Sequence, residues 1–315
     1  MGGFLLQRLF YGLLTIWGIS VVTFMIFFLV PTGDPALRIA GKSPTPEVIE
    51  AITKKYHFDD SLPEQYFYLM KNLLTGNIVS YNTGLEVVPM IWNALPVTVS
   101  LVAVAATTWL IIGVGLGILG ATRPKSRLDT SLTVLSLTGL SIPTLWLAMQ
   151  LLNFFTVKVP LFPPGDYLTI HTGGFIGWLY HLILPAMTLV IVSAASYALV
   201  SRTNMRSALK EEWVKTAVAK GIPRERVFIQ HVLRVGIIPV VVMFGMDLAS
   251  VLSGAIFTEA IFGLPGLGSV LRNGIDNLDF PILLSMTLFG SVLIVVANTT
   301  VDVIQAMLDP RVRLG

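Results

Sequence analysis

Residues 95–122 read LPVTVSLVAVAATTWLIIGVGLGILGAT, 28 consecutive residues without a charged side chain. About 20 apolar residues in a helix cross the hydrocarbon core of a bilayer. Five further runs repeat the pattern. Leu9 to Val30, Ser131 to Val157 and Ile282 to Val301 carry no charge. Phe175 to Ser201 is interrupted only by His181. Val235 to Phe262 carries Asp247 and Glu259. Buried core helices of a soluble protein are rarely so long and so free of charge. The sequence therefore predicts an all-α polytopic membrane protein with six transmembrane helices.

Composition agrees. Of 315 residues, 54% are hydrophobic and 12% charged, against roughly 25% charged in soluble domains. Mean hydropathy is +0.77. Such a chain is neither disordered nor an ordinary soluble enzyme, which needs polar surface to cover its apolar mass. The first run is too long for a signal-peptide core and ends in no small-residue cleavage site, so it reads as a retained helix.

Lys and Arg placement predicts orientation. Fourteen of the 21 fall in the N-terminus (Arg8), the 123–127 connection, the 202–234 segment and the C-terminus. The short connections on the other side hold Lys158 and Arg272 alone. Both termini are expected in the cytoplasm. The net +3 then divides into +8 inside, −3 outside and −2 within the spans.

Three regions follow: 1–30, the cytoplasmic N-terminus and first span; 31–94, an extracytoplasmic cap; and 95–315, the remaining five spans with a cytoplasmic loop at 202–234. The cap carries two helix starts. Thr45-Pro46-Glu47 offers an N-cap, a proline at the first helical position and an acid in the first turn. Ser61-Leu62-Pro63-Glu64 repeats the device, and Gly76 stops the second helix. Val48, Ile49, Ile52 and Tyr56, then Tyr66, Phe67, Met70, Leu73 and Leu74, are the expected apolar faces.

In the 202–234 loop, Met205, Leu209, Trp213 and Ala217 recur at i, i+4 and predict one striped helix face. Lys220-Gly221-Ile222-Pro223 ends it in a turn, and a short helix follows from Arg224. A basic amphipathic helix of this kind either lies in lipid headgroups or docks in a partner's groove; composition leaves both open.

Chemical motifs are sparse. Ala36-x4-Gly41-Lys42-Ser43 imitates a phosphate loop, but Ala36 stands where glycine is needed and no strand precedes it. The four histidines show no metal-ligand spacing, and neither a Gly-x-Ser-x-Gly nor a His-Glu-x-x-His stretch occurs. There are no cysteines, which removes thiolate metal sites and cysteine nucleophiles. Asp247 lies deep in a span; it either lines a translocation path or makes a structural polar contact. Glu259 lies nearer the outer end. Gly113 and Gly117 form a small-xxx-small helix contact. Gly263-Leu264-Pro265-Gly266-Leu267-Gly268 reads as a tight turn or the border of a gate.

Thr216-Ala217-Val218-Ala219-Lys220-Gly221, with His231-x-Leu233-Arg234 and Pro239, resembles the coupling loop of ABC importer permeases, and more narrowly the peptide/nickel branch with its B-type dipeptide and oligopeptide permeases. Lys215 and Thr216 stand where the general family has Glu and Ala. Pro31-Thr32-Gly33-Asp34-Pro35, Ser141-Ile142-Pro143, Phe162-Pro163-Pro164-Gly165, Glu259-Ala260-Ile261-Phe262 and Asp309-Pro310-Arg311 are similar to stretches of that branch. Asp247 departs from its usual neutral polar residue. The resemblance implies a type I importer permease fold and a chain that is not itself an enzyme. It implies a heterodimer with a second, homologous permease, two ABC ATPase subunits that hold ATP and Mg, and an extracytoplasmic substrate-binding protein, in a bacterial or archaeal inner membrane. No cofactor, metal or nucleic acid is expected on this chain. It places ATPase coupling at Lys215, Thr216, Ala217, Ala219, Lys220 and Gly221, and the translocation path at Asp247 and Glu259. The alternatives are a stand-alone carrier or channel and an intramembrane enzyme.

Overall fold

The computed structural model describes residues 2–29, 35–40 and 44–308. The Pro31–Asp34 part of the first loop motif, the Gly41–Ser43 part of the phosphate-loop mimic and the terminal Asp309-Pro310-Arg311 lie outside them. The described chain is helical throughout: α1 (Gly2–Leu29), α2 (Pro35–Ala40), α3 (Pro46–Tyr56), α4 (Leu62–Thr75), α5 (Val87–Thr122), α6 (Arg127–Ser141), α7 (Thr144–Leu152), α8 (Ile170–Leu209), α9 (Glu212–Ala219), α10 (Arg224–Val227), α11 (Leu233–Gly236), α12 (Ile238–Phe262), α13 (Leu267–Asp276) and α14 (Phe280–Leu308). Wider π-type turns extend α7 over Asn153–Lys158 and join α10 to α11 over Phe228–Val232. Five helices are long and apolar enough to cross a membrane, and six when α6 and α7 are taken as one bent span.

That bend corrects the sequence expectation of one continuous helix over Ser131–Val157. The two halves meet at 95°. Pro143 has no N–H to donate, and Ile142 before it sits in the extended region (φ −84°, ψ 124°), as a residue preceding proline prefers. The apolar run is continuous, but the helix is not.

The chain divides into two compact units. The first comprises Met1–Pro96 and Gly266–Val296. Its core is aromatic: Phe27 stacks on Phe280 at 4.3 Å, and Phe24 and Phe28 pack around them. The small helices form where the caps predict. α3 ends in a left-handed His57 (φ 59°), and α4 ends at Gly76. At the start of α4 the Ser61 N–H and hydroxyl both donate to Glu64 Oε2, at 3.0 and 2.7 Å. The buried face of α4 differs from the expected one. Gln65 and Leu69 are buried, while Phe67 and Leu74 are exposed. Gln65 turns inward because its amide donates to the Phe58 and Asp60 carbonyls.

After α4 the chain makes a tight loop closed by a Val79–Glu86 bridge. Asp279, fully buried, holds this loop to the start of α14. Its carboxylate accepts from the Ser80 hydroxyl (2.6 Å) and the Asn82 N–H (3.1 Å), with a longer bond from the Tyr81 N–H.

The second unit comprises Val97–Pro265 and Ala297–Gly315. Its core gathers Leu101, Trp109, Leu182, Leu184, Tyr197, Phe262 and Leu264. α5 and α8 approach at backbone distance, as the small-residue pattern anticipates. A Cβ built on Gly117 would lie 2.5 Å from Ser201 Cβ and 2.9 Å from the Ala198 carbonyl; one on Gly113 would lie 2.6 Å from Tyr197 Cβ.

Candidate functional site: the amphipathic loop and the intramembrane acids

The loop opens where α8 ends. The expected continuous stripe of Met205, Leu209, Trp213 and Ala217 does not form, because the helix stops at Leu209 and restarts at Glu212. Glu211 serves as an extended N-cap (φ −64°, ψ 147°), and Glu212 places an acid in the first turn, where the helix dipole favours it. Two consecutive acids after a basic turn are the sequence signal for this restart.

The restart rotates α9. Val214, not Trp213, is buried. It packs with Met205, Ala208, Val227 and Val232, and Ala217 and Val218 lean on the same cluster. Burial of one such side chain stabilises by about 1.5–3 kcal/mol. Trp213 is exposed, with its ring edge toward His231 at 6.4 Å. Lys215, Thr216, Ala219, Lys220 and Gly221 are also exposed. Ala217 is therefore the one member of the expected coupling set that faces inward. Lys215 pairs with Glu212 across the open face at 2.7 Å.

Glycine fixes where α9 ends. Gly221 adopts φ 82°. Its N–H donates to the Val218 carbonyl at 2.9 Å, and the Ile222 N–H reaches back to Ala217 at 3.3 Å. These two bonds are the Schellman closure, and Ile222 and Ala217 both pack on the apolar cluster around Val214. Nothing lies within 4 Å of a Cβ built on Gly221. A side chain there meets no clash, but it carries the left-handed backbone cost of roughly 1–2 kcal/mol. Pro223 then opens α10.

Asp247 and Glu259 lie on one helix but are not brought together. They are 12 residues apart on α12, which is about 18 Å of rise. Asp247 is half-buried and accepts from the Tyr197 hydroxyl at 2.8 Å, so a structural contact across α8 and α12 is present. Glu259 is fully buried. An apolar cleft of about 300 Å³ lies between α7, α8 and α12, with Thr144, Ser193 and Thr258 as its polar lining. Among the described residues no three His, Asp or Glu side chains gather as a metal cluster.

Sequence reasoning missed one constellation at the root of the loop. Asp129, buried at the start of α6, receives Arg202 Nε at 2.5 Å and Arg206 Nη2 at 2.7 Å, both from the end of α8. Its sequence signal is faint: an acid just before one apolar run, and two arginines at i, i+4 closing a later one.

The helices and the loop match known proteins. The model of the binding-protein-dependent transport system inner membrane component covers residues 113–314, and the N-terminal model of such membrane components covers residues 1–102. The chain belongs to the binding-protein-dependent transport permeases. Similar proteins include the oligopeptide transport system permease protein AppB of Bacillus subtilis, 31% identical with 99% of both chains covered. The probable D,D-dipeptide transport system permease protein DdpB of Escherichia coli is 31% identical, over 98% of this chain and 97% of its own. The oligopeptide transport system permease protein OppB of Haemophilus influenzae is 31% identical, over 98% and 99%. The permease is thus a multi-pass inner-membrane component of an ABC importer and works with other components of that system.

Proposed function

We propose that this permease supplies half of a translocation path for di- and oligopeptides. A homologous permease supplies the other half, a substrate-binding protein delivers the peptide, and two ATPase subunits holding ATP and Mg drive the cycle. In this reading the chain performs no catalysis and binds no cofactor of its own. Both termini and the 202–234 loop lie in the cytoplasm, which the bias of Lys and Arg toward that side supports. The host is a bacterium or archaeon; the relatives named above are bacterial.

One observation carries the reading. α9 is a short helix pinned by buried Val214, closed by Gly221, and open along Lys215, Thr216, Ala219 and Lys220. A helix fixed on one face and free on the other suits docking in a partner's groove. ATPase closure would then move α9, and with it the spans, between inward-open and outward-open states. Asp247 would face the path, oriented by Tyr197, while Glu259, fully buried in this structure, would reach it only as α12 moves in the cycle.

The test is reconstitution of the complex in liposomes with labelled dipeptide and oligopeptide. Uptake that requires ATP, the ATPase subunits and the binding protein is expected. Gradient-driven flux through this chain alone would favour a stand-alone carrier and sink the proposal.

A further inference from the structure

α9 is joined to the spans on one side directly through α8 and on the other through α10 and α11 into α12, so the end of α8 must be held firmly if motion of α9 is to reach α5, α6 and α8. Apolar helix contacts hold distance well but resist sliding and rotation poorly. A forked guanidinium–carboxylate contact also fixes direction. Such a contact sits here. Asp129 Oδ1 receives Arg202 Nε, and Asp129 Oδ2 receives Arg202 Nη2 at 3.2 Å and Arg206 Nη2 at 2.7 Å. Arg206 Nη2 also donates to the Gly120 carbonyl at 3.0 Å, near the end of α5. The Lys125 N–H donates to Asp129 from the connection between α5 and α6. The Asp129 side chain is 5% exposed, and those of Arg202 and Arg206 are 21% and 25%. Arg206 lies three residues before the end of α8 and six before α9 begins.

We propose that Asp129, Arg202 and Arg206 form a coupling clasp, which locks the ends of α5, α6 and α8 into one body at the root of α9 so that displacement of α9 moves all three spans together. The assignment of α9 as the ATPase-docking helix rests on the function proposed above; the clasp itself rests on the ion-pair geometry. Its residues are positioning residues and touch no substrate. Without the carboxylate charge, α8 can shift along α6 and α5, and motion of α9 is absorbed there.

The test uses the complete complex in liposomes, with the ratio of uptake to ATP hydrolysed as the readout. Asp129→Asn is expected to lower that ratio by roughly tenfold, within the usual range of coupling free energies, while hydrolysis persists. The charge swap Asp129→Arg with Arg206→Asp is expected to restore part of it. Uptake and hydrolysis falling in parallel, with the ratio unchanged, overturns the clasp. If Asp129→Asn does not assemble, Arg202→Lys decides, since it keeps the charge and loses the fork: a reduced ratio supports the clasp and an unchanged one overturns it. A second arm needs no transport. The chain has no cysteines, so spin labels at Thr122→Cys and Lys210→Cys report the α5–α8 end distance in the purified permease. One narrow distribution that broadens in Asp129→Asn is expected; identical distributions overturn the clasp even if the wild-type complex transports nothing, a result that would instead refute the function proposed above.

Discussion

Two buried aspartates tie distant parts of this chain together, and they do so by different chemistry. In the first unit Asp279 gathers neutral donors about 200 residues away in sequence, the Ser80 hydroxyl and the N–H groups of Tyr81 and Asn82. In the second, Asp129 gathers two guanidinium groups more than 70 residues away. A carboxylate held by neutral dipoles fastens a loop whatever its neighbours do. A carboxylate shared by two cations fastens helix ends through charge and direction, and it fails when the charge is removed. The first suits a static seam and the second a joint that carries load.

The largest expected effect comes from removing the charged joint. Asp129→Ala leaves two partly buried guanidinium groups without their carboxylate and is expected to cost about 3 kcal/mol, the low end for a broken buried pair, read as a lower midpoint of thermal unfolding in detergent. Asp279→Ala leaves a hydroxyl and backbone N–H groups without their acceptor, each worth about 1–3 kcal/mol. Asn separates the two sites. Asp279→Asn keeps an acceptor oxygen and is expected to recover most of the lost stability, whereas Asp129→Asn is not. Equal recovery at both sites would erase the distinction.

The smallest effect marks the exposed limit of the series. Glu64 accepts from the Ser61 hydroxyl and N–H, and these bonds hold its carboxyl below the ordinary value. Its contribution to α4 is therefore complete above the ordinary carboxylate range and fades as pH falls through the lowered value. Glu64→Gln is expected to flatten the acid limb of the unfolding curve slightly, without shifting the neutral midpoint as the buried sites do. A large neutral-pH shift would mean that this exposed cap bears load too.

Much of the fold is legible in the sequence because its causes are local. Charge-free runs mark the spans, Thr45-Pro46 and Ser61 with Glu64 mark the small helices, and Gly221 before Pro223 marks the end of α9. The misses arise where distant residues or backbone chemistry decide. The 95° bend at Ile142-Pro143 hides inside an unbroken apolar run. The stop at Leu209 rotates α9 and exchanges Trp213 for Val214 in the buried position. Asp129 and Arg202 are 73 residues apart, and the Tyr197 partner of Asp247 is 50 away, so no periodicity pairs them.

The central claim is that the open face of α9 docks on an ATPase subunit. Because the chain has no cysteines, Ala219→Cys places a single thiol on that face. In the purified complex, a short bifunctional reagent should join it to the ATPase and arrest ATP-driven uptake, and a cleavable reagent should allow recovery on reduction. A thiol at position 219 that reacts with a lipid-phase probe, and never with the ATPase of an intact complex, would contradict the account.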